Sequence, residues 1–151
     1  TLHCSSAASD VYKRQVPGGA LHPEETGAVL DRFTPQAAGY EWWCNTNNDL
    51  DWHIDKHEAT AWRDGRYDLP LLSTVFYPHV SCPGGELLIA DNAPVQQNSP
   101  IASPDFRSVI SVPPVVNRVV LFSAGVLHRI NPFEGERYSV AVNVWGHPLM
   151  E

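Results

Sequence analysis

From residue 40 onward the chain is built of short apolar stretches, several alternating strictly between apolar and polar positions, with Pro, Gly and Asn clusters between them. Alternation places successive side chains on opposite faces of an extended backbone, so the pattern predicts strands with one buried face. The predicted strands cover 40–44, 52–55, 71–77, 86–90, 109–112, 119–122, 127–130 and 138–145. No convincing helical period lies among them, and the charges of Asp55-Lys56-His57-Glu58 mark a loop. A series of short strands separated by turn residues predicts a mainly β domain, a jelly roll of the double-stranded β-helix kind. Upstream, 23–33 reads as a short amphipathic helix, with Pro23 in its first turn and Val29, Leu30 and Phe33 on one face. The stretch 92–104, rich in Pro, Gln, Asn and Ser, is predicted to be a mobile lid.

Composition narrows the class. A chain of 151 residues, 43% hydrophobic, with five each of Trp, Tyr and Phe, is long enough to bury one core. A net charge of −7 and a pI near 5.4 exclude a general nucleic-acid surface, which needs a basic footprint. No apolar run reaches the roughly 20 residues of a membrane span. Cys4, Cys44 and Cys82 form no Cys-x-x-Cys pair, so reduced thiols and a cytoplasmic location are expected. Residues 1–15 have no hydrophobic period and read as a non-native, linker-derived segment. The expected organisation is therefore one domain over 16–151, N-terminally truncated, since the chain opens on Thr1 and its only Met is Met150.

The candidate chemistry lies in His53-Ile54-Asp55, then His128, then Arg137-Tyr138-Ser139. Residues i and i+2 of a strand share a face, so His53 and Asp55 can approach one metal together. Two imidazoles and one carboxylate on three corners of a metal form the facial triad of non-haem iron(II) oxygenases, with three corners left open. Open corners suit a co-substrate that chelates through two oxygens, plus O2. Arg137 offers a planar cation that grips a carboxylate through two parallel hydrogen bonds, and Ser139 on the same face adds a hydroxyl. Two other classes use similar parts. A cupin-like metal-binding jelly roll would employ three histidines and a carboxylate, and the Arg137-x-Ser139 clamp speaks against it. A catalytically silent binding module differs only in activity.

In these residues the stretch 40–145 resembles the iron(II)- and 2-oxoglutarate-dependent dioxygenases, nearest to their prolyl-hydroxylase-like branch. The matching positions are His53, Asp55, Tyr77, Gly84-Gly85-Glu86, Arg118 to Phe122, His128 and, nine residues on, Arg137. Tyr77-Pro78-His79 departs from the Tyr-Leu-Asn of many prolyl hydroxylases, so prolyl substrates are not implied. The resemblance implies Fe(II) on His53, Asp55 and His128, and 2-oxoglutarate held by Arg137, Ser139 and Tyr77. It also implies O2, with ascorbate as a candidate reactivating reductant. The implied reaction is hydroxylation of a C–H bond in a peptide side chain or small metabolite, releasing succinate and CO2. Asp55 argues against a halogenase, because halide needs the carboxylate's place on the metal.

Other residues have plainer expectations. His57 and His79 read as rim residues, Arg118 as a strand end, and Glu86 as structural beside the Gly-Gly turn. Trp42, Trp43 and Trp52 are expected in the core. Asn143, six residues after Arg137, shares its inward face and can serve either a ligand or a buried hydrogen bond.

Overall fold

A computed structural model of the protein describes residues 37–46 and 50–148. Segment 1–15, the helix predicted over 23–33 and Cys4 lie outside the described residues. Eight strands and one helix follow in order: β1 (Gly39–Asn45), β2 (Leu50–His53), α1 (Glu58–Asp64), β3 (Leu72–Val80), β4 (Leu87–Ala90), β5 (Val109–Val112), β6 (Val119–Phe122), β7 (His128–Ile130) and β8 (Arg137–Trp145). They form two four-stranded antiparallel sheets, β1-β8-β3-β6 and β2-β7-β4-β5. This is the jelly-roll-like arrangement expected from the alternating pattern.

The core lies between the sheets. Trp43, Val75, Tyr77, Val120 and Phe122 from the first sheet meet Leu87, Ile89 and Ile130 from the second. β8 shows why the pattern was readable: Arg137, Ser139, Ala141, Asn143 and Trp145 are all buried, and the residues between them are not. β4 is buried on both faces, because a second cluster of Ile54, Tyr67, Ala90 and Leu127 covers its outer side. Adjacent tryptophans on one strand must point to opposite faces. Trp43 therefore packs inside, while Trp42 is 50% exposed and is not the core residue expected. Trp52 is half-buried, its ring 4.9 Å from that of Phe106. Pro78 lacks the N–H that a central strand must donate, and the β3–β8 register breaks between Phe76 and His79.

One local expectation fails. Residues 58–64 are helical where a loop was expected. The His57 side chain accepts from the Thr60 N–H at 3.3 Å, an N-cap outside the usual Ser, Thr, Asn and Asp set. Gly65, at φ 64, closes the helix by donating its N–H to the Ala61 carbonyl. The 92–104 loop, the expected lid, bonds to the body of the fold at several points. Its backbone bonds Gly125 through Val95, Tyr67 through Asn98 and Gly65 through Ile101, at 2.9, 2.8 and 3.0 Å. The Tyr67 hydroxyl also donates to the Ala102 carbonyl. Among the described residues no helix is long and apolar enough to cross a membrane.

Candidate functional site

β2 ends at His53, and its register mate across the antiparallel pair is His128 at the start of β7. Cross-strand partners approach closely, and the two rings meet edge to face with centroids 3.9 Å apart. Asp55 lies just beyond the end of the strand rather than on it, a correction to the single-strand expectation. It still converges on the pair. One ligand atom from each of His53, Asp55 and His128 lies within 4.8 Å of the other two.

Each side chain is held in a form suited to a cation. His53 Nδ1 is 2.7 Å from the Asp51 carbonyl and His128 Nδ1 is 3.4 Å from that of Val126. A carbonyl can only accept, so each Nδ1 carries the proton and each Nε2 keeps its lone pair. His128 Nε2 is buried and has no hydrogen-bond partner among the described residues. Phe122 backs this imidazole, the rings 5.8 Å apart. Asp55 is fully buried; Oδ2 accepts from the Ser73 hydroxyl at 3.1 Å, while Oδ1 has no partner among the described residues.

Burial lowers the pKa of His53, and lowers that of His128 further, with the neighbouring His53 charge adding to the effect. Burial raises the Asp55 carboxyl well above its ordinary range, opposed by Asn143 and Ser73. Neutral imidazoles are the ligating form, and a cation among these groups favours the ionised carboxylate. The orphaned Oδ1 and Nε2 and the mixed imidazole–carboxylate donor set fit a divalent metal such as iron(II).

Arg137 opens β8 and is only 1% exposed. Its guanidinium carbon sits 5.0 Å from the Tyr77 ring centre and 5.2 Å from that of Phe133. Among the described residues none of its three side-chain nitrogens has an acceptor, and the Tyr77 hydroxyl stands beside it. Burial raises the Tyr77 hydroxyl pKa, with the Arg137 charge opposing. A buried cation stacked between two rings, beside a phenol, is the donor set a carboxylate needs. Ser139 is buried nearby on the same face, but its hydroxyl already donates to the Asn45 carbonyl at 3.3 Å. It must rotate to serve a ligand.

Room for Arg137 comes from Gly85. A Cβ there would lie 2.7 Å from the arginine Cδ and 3.1 Å from both its Nε and the Phe133 ring. Gly85 also holds φ +71, which an L side chain adopts only at a cost of roughly 1–2 kcal/mol. Gly85→Ala is expected to leave a folded protein that binds 2-oxoglutarate about tenfold or more weakly, one decade corresponding to about 1.4 kcal/mol. Calorimetric titration checks this; unchanged affinity would mean that Arg137 is not the anchor.

The remaining candidates lie elsewhere. His57 caps α1, and His79 sits 3.6 Å from the Glu136 carboxylate on the rim. Arg118 bonds the Pro113 carbonyl at a strand end, and Glu86 accepts from Asn131, as expected of structural residues. Asn143 joins Ser73 to Glu41 and lies beside the Asp55 carboxyl. Sequence reasoning missed Ser73 and Glu41. A serine at an inward position in step with Val75 and Tyr77 was the available signal.

The family model of the 2OG-Fe(II) oxygenase superfamily matches residues 35–145. No curated protein matches the chain. Among solved structures, an oxidoreductase of the 2OG-Fe(II) oxygenase family from Burkholderia pseudomallei is similar, with 17% identity and a TM-score of 0.51. The similarity covers 83% of this chain and 53% of that one, so the chain spans about half the length of its structural relative. At that identity the likeness speaks for the fold. The family model spans most of the chain and every residue of the cluster, and the chain belongs to the 2OG-Fe(II) oxygenase superfamily.

Proposed function

We propose that this protein is an iron(II)- and 2-oxoglutarate-dependent dioxygenase that hydroxylates a peptide side chain or small metabolite. His53, Asp55 and His128 hold the metal. Arg137, helped by Tyr77 and a rotated Ser139, binds the remote carboxylate of 2-oxoglutarate. The observation that carries the reading is the pairing of two unsatisfied sets inside one jelly roll. Among the described residues a carboxylate oxygen and an imidazole nitrogen of the cluster lack partners, and a buried guanidinium lacks an acceptor. A buried, unpaired cation costs several kcal/mol, on the order of 2–5, and persists where a ligand repays it.

Iron(II) with 2-oxoglutarate and O2 supplies an oxidant able to break an unactivated C–H bond, releasing succinate and CO2. The protein's part is placement. The backbone carbonyls of Asp51 and Val126 fix both imidazole tautomers, and Ser73 fixes one Asp55 oxygen, which together orient the donor set toward a metal. The Tyr77 and Phe133 rings lie against the Arg137 guanidinium and help exclude water from its nitrogens. That exclusion strengthens the carboxylate–guanidinium bonds. The absence of any Cys-x-x-Cys pair in the sequence suits reduced thiols and a cytoplasmic setting.

The test is reconstitution with iron(II) under anaerobic conditions, then 2-oxoglutarate and O2 with a panel of peptides and metabolites. Succinate formation that rises with one class of substrate is expected. Iron-loaded protein that neither develops a visible band with 2-oxoglutarate nor forms succinate would overturn the proposal.

A further inference from the structure

One transverse row of the first sheet carries more polar character than a sheet interior ordinarily holds. Glu41 of β1, Asn143 of β8 and Ser73 of β3 are successive register mates, and Phe122 of β6 continues the row. Ser73, Asn143 and Phe122 are each 1% exposed or less. Their side chains form one chain of contacts: Asn143 Nδ2 donates to Glu41 Oε1 at 3.1 Å, and Ser73 Oγ lies 2.5 Å from Asn143 Oδ1 and 3.1 Å from Asp55 Oδ2. At the far end Phe122 meets the His128 ring. The row therefore touches two residues of the three-member cluster.

We propose that Ser73 and Asn143 are positioning residues for the metal site, fixing the Asp55 carboxylate so that Oδ1 alone is presented as a ligand. The inference rests on the metal reading given above. Donor arithmetic supports it. The Ser73 hydroxyl has one proton and two neighbouring acceptors, so it can serve only one of them at a time. An ionised Asp55 brings no proton of its own, and Ser73 must then be the donor to Oδ2. Asn143 makes that possible by turning its amide, so that Nδ2 donates to Ser73 Oγ and gives up Glu41 Oε1, the part-exposed Glu41 carboxylate turning to solvent. The two amide orientations have nearly the same shape, and the hydrogen-bond network selects between them. Buried polar groups at such positions are costly unless all are satisfied, and apolar side chains would close this row more cheaply. Outer hydrogen bonds to metal-ligating carboxylates typically contribute about ten- to a hundredfold in metal affinity.

The experiment is anaerobic titration of the full chain with Mn(II) alone, followed by electron paramagnetic resonance, with thermal unfolding as the check on folding. Ser73→Ala is expected to fold as wild type, bind Mn(II) about ten- to a hundredfold more weakly, and show an altered zero-field splitting. Ser73→Thr, which keeps the hydroxyl, should restore both. Asn143→Ala should shift affinity in the same direction, and its combination with Ser73→Ala should cost less than the two separate losses added together. Wild-type affinity and an unchanged spectrum in folded Ser73→Ala would overturn the positioning role and leave the metal site standing. A wild-type protein that takes up no Mn(II) would overturn both.

Discussion

Asp55→Gly is expected to abolish iron retention and 2-oxoglutarate-dependent O2 uptake, while His57→Ala and His79→Ala retain both. Removing Asp55 takes away the only carboxylate of the cluster and leaves two neutral imidazoles, which cannot offset the charge of a divalent cation. The loss should exceed the about ten- to hundredfold that follows when an outer hydrogen bond is deleted, because a ligand itself is gone. The fold should survive, since the substitution removes a buried carboxyl whose Oδ1 has no partner among the described residues. The two control histidines separate an oxygenase from a cupin-like binder, whose metal would lean on further imidazoles. His57 is engaged at the N-terminus of α1 and His79 faces Glu136, so neither belongs to the cluster. His57→Ala should lower stability by about 1 kcal/mol through the lost cap and leave the metal in place. Iron content and oxygen-electrode traces on the three variants decide the matter. Metal retained in Asp55→Gly but lost in His57→Ala would sink the triad.

Much of this arrangement was legible because strand alternation is a local property. The buried positions of β8 follow a strict period of two, and Arg137, Ser139 and Asn143 fall on the inward face that counting assigns them. The pairing of His53 with His128 was legible in kind but not in register, which depends on how β2 and β7 align. Asp55 shows the limit of local reasoning: the strand stops before it, and tertiary packing still brings it to the imidazoles. Helix α1 was hidden by an unusual cap, although Glu58, Arg63 and Gly65 were ordinary end signals. The row from Glu41 to Phe122 has no local signature at all, since residues so far apart in sequence meet only through strand pairing. Gly85 read as a turn residue, and its second role needs the position of the Arg137 side chain.

Arg137→Leu should move two measurements in opposite directions. In the absence of co-substrate the variant is expected to melt at a higher temperature than wild type. The arginine is buried against Tyr77 and Phe133 with no acceptor among the described residues, and a leucine of suitable shape fills apolar space without carrying an uncompensated charge. Binding of 2-oxoglutarate should fall at least about ten- to 150-fold. A hydrogen bond to a charged group contributes about 1.5–3 kcal/mol, and a guanidinium can make two to one carboxylate. Iron affinity should change little, because Arg137 is not among the residues of the metal cluster. The contrast is sharpest in ligand-induced stabilisation. Wild type in a hundredfold excess over its dissociation constant gains about 2.7 kcal/mol, and the variant at the same concentration gains a small part of that. Thermal unfolding of iron-loaded protein with and without 2-oxoglutarate reads both effects in one experiment. A variant that is stabilised by 2-oxoglutarate as strongly as wild type would remove Arg137 from the co-substrate site and leave its burial without a function.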